Sequence, residues 1–375
     1  MLPERGDFFM KWKEQINGMK AYQPGKSIDA VKREFGLDHI VKLASNENPF
    51  GSSPKVHEFL AKESFNFALY PDGYATDMRA AVAKHLGVSG DELIFGNGSD
   101  ELISIITRAL LHPGVNTVMG NPTFSQYAHN ARIEGAEIRE VPLKEGNHDL
   151  DAMLKEIDEN TAIVWVCSPN NPTGVVVEDT PLKSFLKRVP KDVLVVLDEA
   201  YFEYVTNKNH KDTISYIHDY PNLIILRTFS KAYGLATFRV GYGIANKDLI
   251  AKLDPVRGPF NNTGLSQAVI QVALQDQAYI QKCREENTKG KEQIEAYCDE
   301  HDLHYYPSDT NFVLMEIKAD SDVVFQKLMQ RGFIIRSGNA LGTPGYIRVT
   351  IGTQAQNEGL LAQLTEILKE EGVFS

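Results

Sequence analysis

The chain has 375 residues, with 39 Lys plus Arg against 50 Asp plus Glu, a formal net charge of −11, 42% hydrophobic and 24% charged residues. At roughly 150 residues per domain this predicts two or three domains, with enough chain to bury a core without disulfides or metal. The acidic balance argues against a nucleic-acid or anionic-membrane binder, although a local pocket can still be basic. Residues 1–20 lack the apolar core of a secretory signal, and no stretch approaches the roughly 18 apolar residues of a membrane span. Cys167, Cys283 and Cys298 form no CxxC pair, so a reducing, cytoplasmic setting is expected.

In chain order, residues 1–44 read as an N-terminal segment too short to fold alone, packing with the C-terminal part. A large domain is expected over 45–255. Its strands are predicted at Glu92–Phe95, Thr117–Met119, Ile138–Pro142, Ala162–Cys167, Val193–Leu197, Leu223–Arg227 and Val240–Ile244. Several, such as AIVWVC and VLVVLD, are apolar throughout, as strands covered on both faces are. Helices between them are predicted at Asp77–Leu86, Asp100–Leu111, Phe124–Glu134 and Leu182–Val189. The pattern is α/β with a mostly parallel sheet flanked by helices. A smaller α+β domain is expected over 256–375. It includes a long interdomain helix, about Leu265–His301, interrupted near Gly290. Strands at Phe312–Ile317, Phe333–Arg336 and Tyr346–Ile351 and helices at Asp322–Arg331 and Asn357–Lys369 complete it.

Four motifs carry chemistry. In FSKAYGLATFRVGYG, Lys231 follows an apolar strand. A lone lysine is usually solvated, but here a partly desolvated amine near Arg239 would lose its proton easily and could attack a carbonyl. Thr228 and Ser230 add hydroxyls to an anion clamp around Arg239, whose plainer reading is a structural ion pair. In VLVVLDEAYFEY, Asp198 stands at the carboxyl end of a buried strand, the edge where open α/β sheets bind ligands, and Tyr201 can face the same crevice. A salt bridge or helix cap is the plainer role for Asp198. CSPNNPTG is a turn on any reading, and at that edge Asn171 becomes a candidate donor. FGNGSDELI joins strand, glycine turn and helix start, where backbone N–H groups favour a phosphate. Ser99 there is also an ordinary helix cap. The segment matches neither GxGxxG nor GxxxxGK[ST]. A reactive lysine, an acid for a ring nitrogen, donors for a phenolic oxygen and a phosphate cup together describe a site for pyridoxal phosphate.

The ordered set GNGSDE, NPTF, NNPTG, DEAY, SKAYGLAxxRVGY and IRVTIG resembles the fold-type I pyridoxal-phosphate aminotransferases over nearly the whole chain. ASNENPFG (Ala44–Gly51), YPDGYATDMR (Tyr70–Arg79) and YQPGK (Tyr22–Lys26) are similar to landmarks of the histidinol-phosphate aminotransferase subfamily. The resemblance implies that Lys231 holds the cofactor covalently and shuttles the proton. It implies that Asp198 keeps the pyridine nitrogen protonated, that Asn171 and Tyr201 donate to the phenolate oxygen, and that Phe124 stacks on the ring. Backbone amides of Ser99 and Asp100, with Ser230, Arg239 and Thr228, would cradle the phosphate, and Tyr70 would reach the phosphate of a neighbouring subunit in a homodimer. Arg348 would clamp the substrate carboxylate and Arg336 its side chain, with Tyr22 and Asn46 lining the substrate side. Two features depart or stand out. GLATFR has Thr237 and Phe238 where Gly-Leu is usual, and the glycine-rich loop Ser337–Tyr346 lies between the two arginines.

The implied activity is amino transfer between L-histidinol phosphate and 2-oxoglutarate, giving imidazole-acetol phosphate and L-glutamate in histidine biosynthesis. An aromatic amino-acid aminotransferase, a decarboxylase on the same fold and a non-catalytic ligand-binding module remain as alternatives. The ten histidines show no HxH or HxxxH spacing, so no metal site is expected. Cys167 and Trp165 read as packing residues.

Overall fold

The computed structural model describes residues 10–21 and 25–375. In chain order its strands are β1 (Val41–Lys42), β2 (Leu93–Gly96), β3 (Asn116–Asn121), β4 (Glu137–Pro142), β5 (Thr161–Cys167), β6 (Leu194–Asp198), β7 (Leu223–Thr228), β8 (Gly241–Ala245), β9 (Phe312–Glu316), β10 (Phe333–Ile334), β11 (Arg336–Ser337) and β12 (Tyr346–Thr350).

Seven of them form one sheet in the order β2-β8-β7-β6-β5-β3-β4. All pairings are parallel except those of β8, which runs antiparallel to β2 and β7. The apolar runs have a direct cause. Alternate side chains of a strand point to opposite faces, and both faces here are covered. Val164, Val166, Val195, Leu197 and Ile225 enter the core on one face. Ile163, Trp165, Val196, Ile224 and Leu226 enter the core on the other. Each fully buried large apolar side chain contributes about 1.5–3 kcal/mol, and a polar side chain inside these strands needs a partner, as the buried Arg227 of β7 has in Glu199 and Asp212. The order of strand addition switches sides between β3 and β5, since β4 lies outward of β3 while β6 and β7 lie on the far side of β5.

A second sheet, β11-β12-β9, is antiparallel, and β1 pairs in parallel with β10. Val41 and Leu43 join the core beneath this sheet together with Ile294, Val313, Val349 and Leu364. The N-terminal segment is thereby bound to the C-terminal part of the chain.

Two expectations are corrected. The expected strand Phe333–Arg336 is two: the chain bends at the fully buried Ile335, so that β10 pairs with β1 and β11 with β12. The expected helix over 265–301 is also two, Gly264–Leu274 and Gln277–Glu300, and the break falls at Gln275–Asp276 rather than at Gly290. Gly290 is instead a packing position, because a Cβ there would lie 2.5 Å from Ile351 and 2.9 Å from Asn357. Helix Gly264–Leu274 packs on helices Pro54–Lys62 and Thr76–Leu86, and its Val269, Ile270 and Ala273 belong to the large-sheet core. Among the described residues no helix is long and apolar enough to cross a membrane.

Candidate active site

The carboxyl ends of β3, β5, β6 and β7 share one edge of the large sheet, and a cavity of about 620 Å³ opens there beside the switch in strand order. Because β8 runs the other way, Arg239, two residues before it, arrives at the same edge. Gly96 and Thr228 both pair with Gly241 across β8, which brings the start of helix Gly98–Leu110 alongside. Ligands settle at such edges because loops from several strands converge there.

Asp198 ends β6 and is 2% exposed. Its Oδ2 accepts from Tyr127 Oη at 2.6 Å and its Oδ1 from the Ala200 amide at 3.1 Å. Burial pushes its pKa up to about 6, against the pull of those two donors. Lys231 lies three residues after β7, and its Nζ donates to the Ser45 carbonyl at 3.2 Å. Burial and then the Arg348 charge, with a smaller push from Arg239, outweigh the attraction of Asp100 and Glu47 and bring its pKa down to about 8.

Arg239 forms one wall of a cup. Its Nη1 donates to Ser230 Oγ at 3.2 Å, and its Nη2 lies 3.9 Å from Asp100. Glycine is required twice at this cup. A Cβ on Gly98, at φ +75°, would lie 2.6 Å from Arg239 Nη2, and one on Gly241 would lie 2.5 Å from the Ser99 backbone nitrogen. The amides of Ser99 and Asp100 open the helix at this point, where the helix dipole favours an anion. Thr228 also lines the cavity, but its Oγ1 already donates to the Val240 carbonyl and accepts from the Ser230 amide.

Two hydrogen bonds decide which way the polar side chains point. Arg348 Nη1 donates to Asn171 Oδ1 at 2.6 Å. A guanidinium has no acceptor, so the Asn171 oxygen must face it, and Nδ2 is left as a donor. Likewise Tyr201 Oη accepts from Asn46 Nδ2 at 3.0 Å, which leaves its own O–H to donate. Asn46 is fixed at φ +57° by bonds to Thr350 and Asn311. Arg348 Nη2 also holds the Ala44 carbonyl at 2.8 Å.

Arg336 and Arg348 are direct partners across β11 and β12, and both line the cavity. Like charges directly opposite on a sheet repel, which an anion between them would relieve. Phe124 lines the cavity and packs edge-on to Tyr127 at 5.6 Å.

Tyr70 does not line the cavity of its own chain. It is 84% exposed and stacks on Phe260 at 4.9 Å. Tyr22 lies outside the described residues. Thr237 is exposed, and Phe238 packs against the large core, so neither enters the cavity. The loop after Arg336 brings Ala340, Leu341 and Gly342 to the cavity and is tied down by Asn339 and Ser337 donating to Asp322.

Sequence reasoning missed Tyr127, which is fully buried behind Asp198. Its only signal was a position three residues after Phe124, the spacing that puts two side chains on one helix face.

The family described as aminotransferase class I and II matches residues 38–364. The chain belongs to the class I and II aminotransferases. It is 65% identical over 366 residues to the histidinol-phosphate aminotransferase of Lysinibacillus sphaericus, covering 98% of this chain and 100% of that protein. It is 56% identical over 360 residues to the histidinol-phosphate aminotransferase of Bacillus subtilis, covering 96% and 100%. The crystal structure of histidinol-phosphate aminotransferase from Sinorhizobium meliloti in complex with pyridoxal-5'-phosphate superposes with a TM-score of 0.89 at 27% identity, covering 97% of this chain and 99% of that one. The fold is thus the fold-type I aminotransferase architecture, with a mostly parallel seven-stranded sheet.

Proposed function

We propose that this aminotransferase exchanges the amino group between L-histidinol phosphate and 2-oxoglutarate, a step of histidine biosynthesis, with pyridoxal phosphate held at the carboxyl edge of the large sheet. The observation that carries the reading is one cavity joining Lys231, with its lowered pKa, a buried Asp198 and the facing Arg336 and Arg348.

The donor set fits the cofactor. The cup of Arg239, Ser230 and the Ser99 and Asp100 amides suits its phosphate, and Gly98 and Gly241 leave the room that a Cβ would fill. Asn171 Nδ2 and the Tyr201 hydroxyl would donate to its ring oxygen, Asp198 would hold its ring nitrogen protonated, and Phe124 would supply an aromatic wall for the ring. When bound, pyridoxal phosphate supplies an electron-withdrawing ring and an aldehyde for the amine. Lys231 would hold it, and the Lys231 Nζ would serve as the base for the proton on the substrate carbon that bears the amine. A lysine with a pKa near 8 does this at neutral pH because proton exchange is fastest when donor and acceptor strengths match.

Arg348 clamps the carboxylate of glutamate by a two-pronged bond that lysine cannot copy. Histidinol phosphate carries a phosphate and no carboxylate, so Arg336 and Arg348 serve that phosphate in the other half-reaction, with Asn46 lining the same cavity. Two copies share the site in our reading. Phe67, Leu69, Tyr70, Tyr74 and Phe260 are large apolar side chains left exposed, as association surfaces are, and Tyr70 would reach the partner's phosphate cup. We assign the enzyme to the cytoplasm, in line with three unpaired, buried cysteines.

The test is a panel of amino donors with 2-oxoglutarate, followed by glutamate formation and by the cofactor spectrum. L-histidinol phosphate should give the highest kcat/KM. A clear preference for phenylalanine would move the assignment to an aromatic aminotransferase, and CO₂ release without demand for a keto acid would move it to a decarboxylase.

A further inference from the structure

We infer that Tyr127 is a positioning residue of the transamination: its buried hydroxyl fixes the Asp198 carboxylate and keeps it charged opposite the cofactor's ring nitrogen. The inference rests on the reading of Asp198 given above, and adds the group that makes Asp198 fit for its task.

The geometry is specific. Tyr127 is fully buried, and its Oη stands 2.6 Å from Asp198 Oδ2. Its ring stacks on Trp165 with centroids 4.6 Å apart and planes 14° apart. Trp165 is held in turn by its Nε1 donating to Thr117 Oγ1 at 2.8 Å, and Thr117 donates to the Ile163 carbonyl at 2.9 Å. The hydroxyl is therefore aimed by β3 and β5, not by the flexible tip of a surface residue. Phe124, in the loop just before the helix Gln126–Glu134 that carries Tyr127, packs edge-on to the same ring, so the cavity-lining aromatic and the aspartate's donor support each other.

The surroundings explain why a donor is needed. A carboxylate out of water tends to take up a proton. The titratable groups bearing on Asp198 are Tyr127, Asp100, Glu199, Tyr201 and the Cys167 thiol across the β5–β6 pair. Asp100 and Glu199 disfavour its charge, while Tyr127 and the Ala200 amide favour it. Tyr127 itself does not compete for the negative charge, because burial and the neighbouring Asp198 hold its own pKa well above the ordinary tyrosine value. It stays a protonated donor across the working range.

Tyr127→Phe keeps the ring and its stacking and removes only the hydroxyl. We expect about tenfold weaker pyridoxal phosphate binding to the apoenzyme, and an acid limb of kcat/KM moved up by about one pH unit, the loss of one hydrogen bond to a charged group. In Asp198→Asn, where no charge remains to be held, adding Tyr127→Phe should change affinity less than about twofold. An unmoved acid limb in Tyr127→Phe, or losses that multiply in the double variant, would overturn the inference. Infrared titration of the Asp198 carboxyl band in the apoenzyme, assigned by its absence in Asp198→Asn, reads the coupling without the reaction. Inactive wild-type enzyme would defeat the functional reading, whereas a carboxyl midpoint identical in wild type and Tyr127→Phe would defeat this one. Should Tyr127→Phe not fold, a ring-fluorinated tyrosine at position 127, a stronger donor, should lower the midpoint, and a midpoint left in place would count against the inference.

Discussion

Gly98→Ala separates backbone strain from damage to the phosphate cup. Gly98 has φ +75°, so any side chain there costs about 1 kcal/mol in backbone strain. The new Cβ would also stand 2.6 Å from Arg239 Nη2 and 3.3 Å from Cζ. The obstructing atoms are the tip of a long side chain, so the fold survives and the guanidinium gives way. Loss of a charge-assisted bond to the phosphate costs about 1.5–3 kcal/mol, which is roughly 10- to 100-fold in cofactor affinity. Gly87→Ala is the matched control: its φ is +71° and nothing lies within 4 Å of the added carbon. Both variants should lose similar thermal stability as apoproteins, and only Gly98→Ala should bind pyridoxal phosphate weakly when apoenzyme is titrated by fluorescence. Equal cofactor affinity in the two variants would refute the cup.

Further outcomes follow from the same structure. Capture of pyridoxal phosphate by apoenzyme should speed up with pH about a midpoint near 8, set by the Lys231 amine; a stopped-flow midpoint at the ordinary lysine value of about 10.4 would contradict it. Arg348→Gln should lower kcat/KM for glutamate by roughly 100-fold, with Arg348→Lys restoring little of it, in steady-state assays. Arg336→Gln removes a like-charge pair across β11 and β12, so the apoprotein should gain about 0.2–1 kcal/mol in thermal denaturation while losing kcat/KM; a less stable but fully active variant would go against this. Glu203 has a buried Oε2 with no hydrogen-bond partner among the described residues, and burial, against the pull of Arg227, raises its pKa to about 7. Its folded state binds the proton more tightly than the unfolded chain, at about 4.3. Stability therefore falls as pH rises between those values and stays low above them. Glu203→Gln should raise the melting temperature more at pH ~8 than at pH ~5, and the opposite order would contradict the assignment.

Much of this architecture could be read from local pattern. The central strands of the large sheet were visible because both faces are buried, which turns strands such as Thr161–Cys167 into unbroken apolar runs. The residues at their ends, Asp198, Lys231 and Asn171, stood out because a polar group directly after such a run must lie at the sheet edge. Long-range geometry was not readable. Tyr127 meets Asp198 across 71 positions of sequence, and nothing local marks that contact. The bend at Ile335 was hidden because β10 and β11 together have the length of one ordinary strand, and only their separate partners, β1 and β12, distinguish them. Gly290 invited a helix break by composition, whereas its role is close contact with Ile351. The orientation of Asn171 and Tyr201 came from Arg348 and Asn46, which are distant in sequence and adjacent in space.

Borohydride reduction of the loaded enzyme, followed by peptide mapping, tests directly whether Lys231 is the residue that carries pyridoxal phosphate. One phosphopyridoxyl adduct is expected, on Lys231, and none in Lys231→Ala, which should also form no glutamate from L-histidinol phosphate and 2-oxoglutarate. An adduct on another lysine, or turnover that survives in Lys231→Ala, would contradict that role.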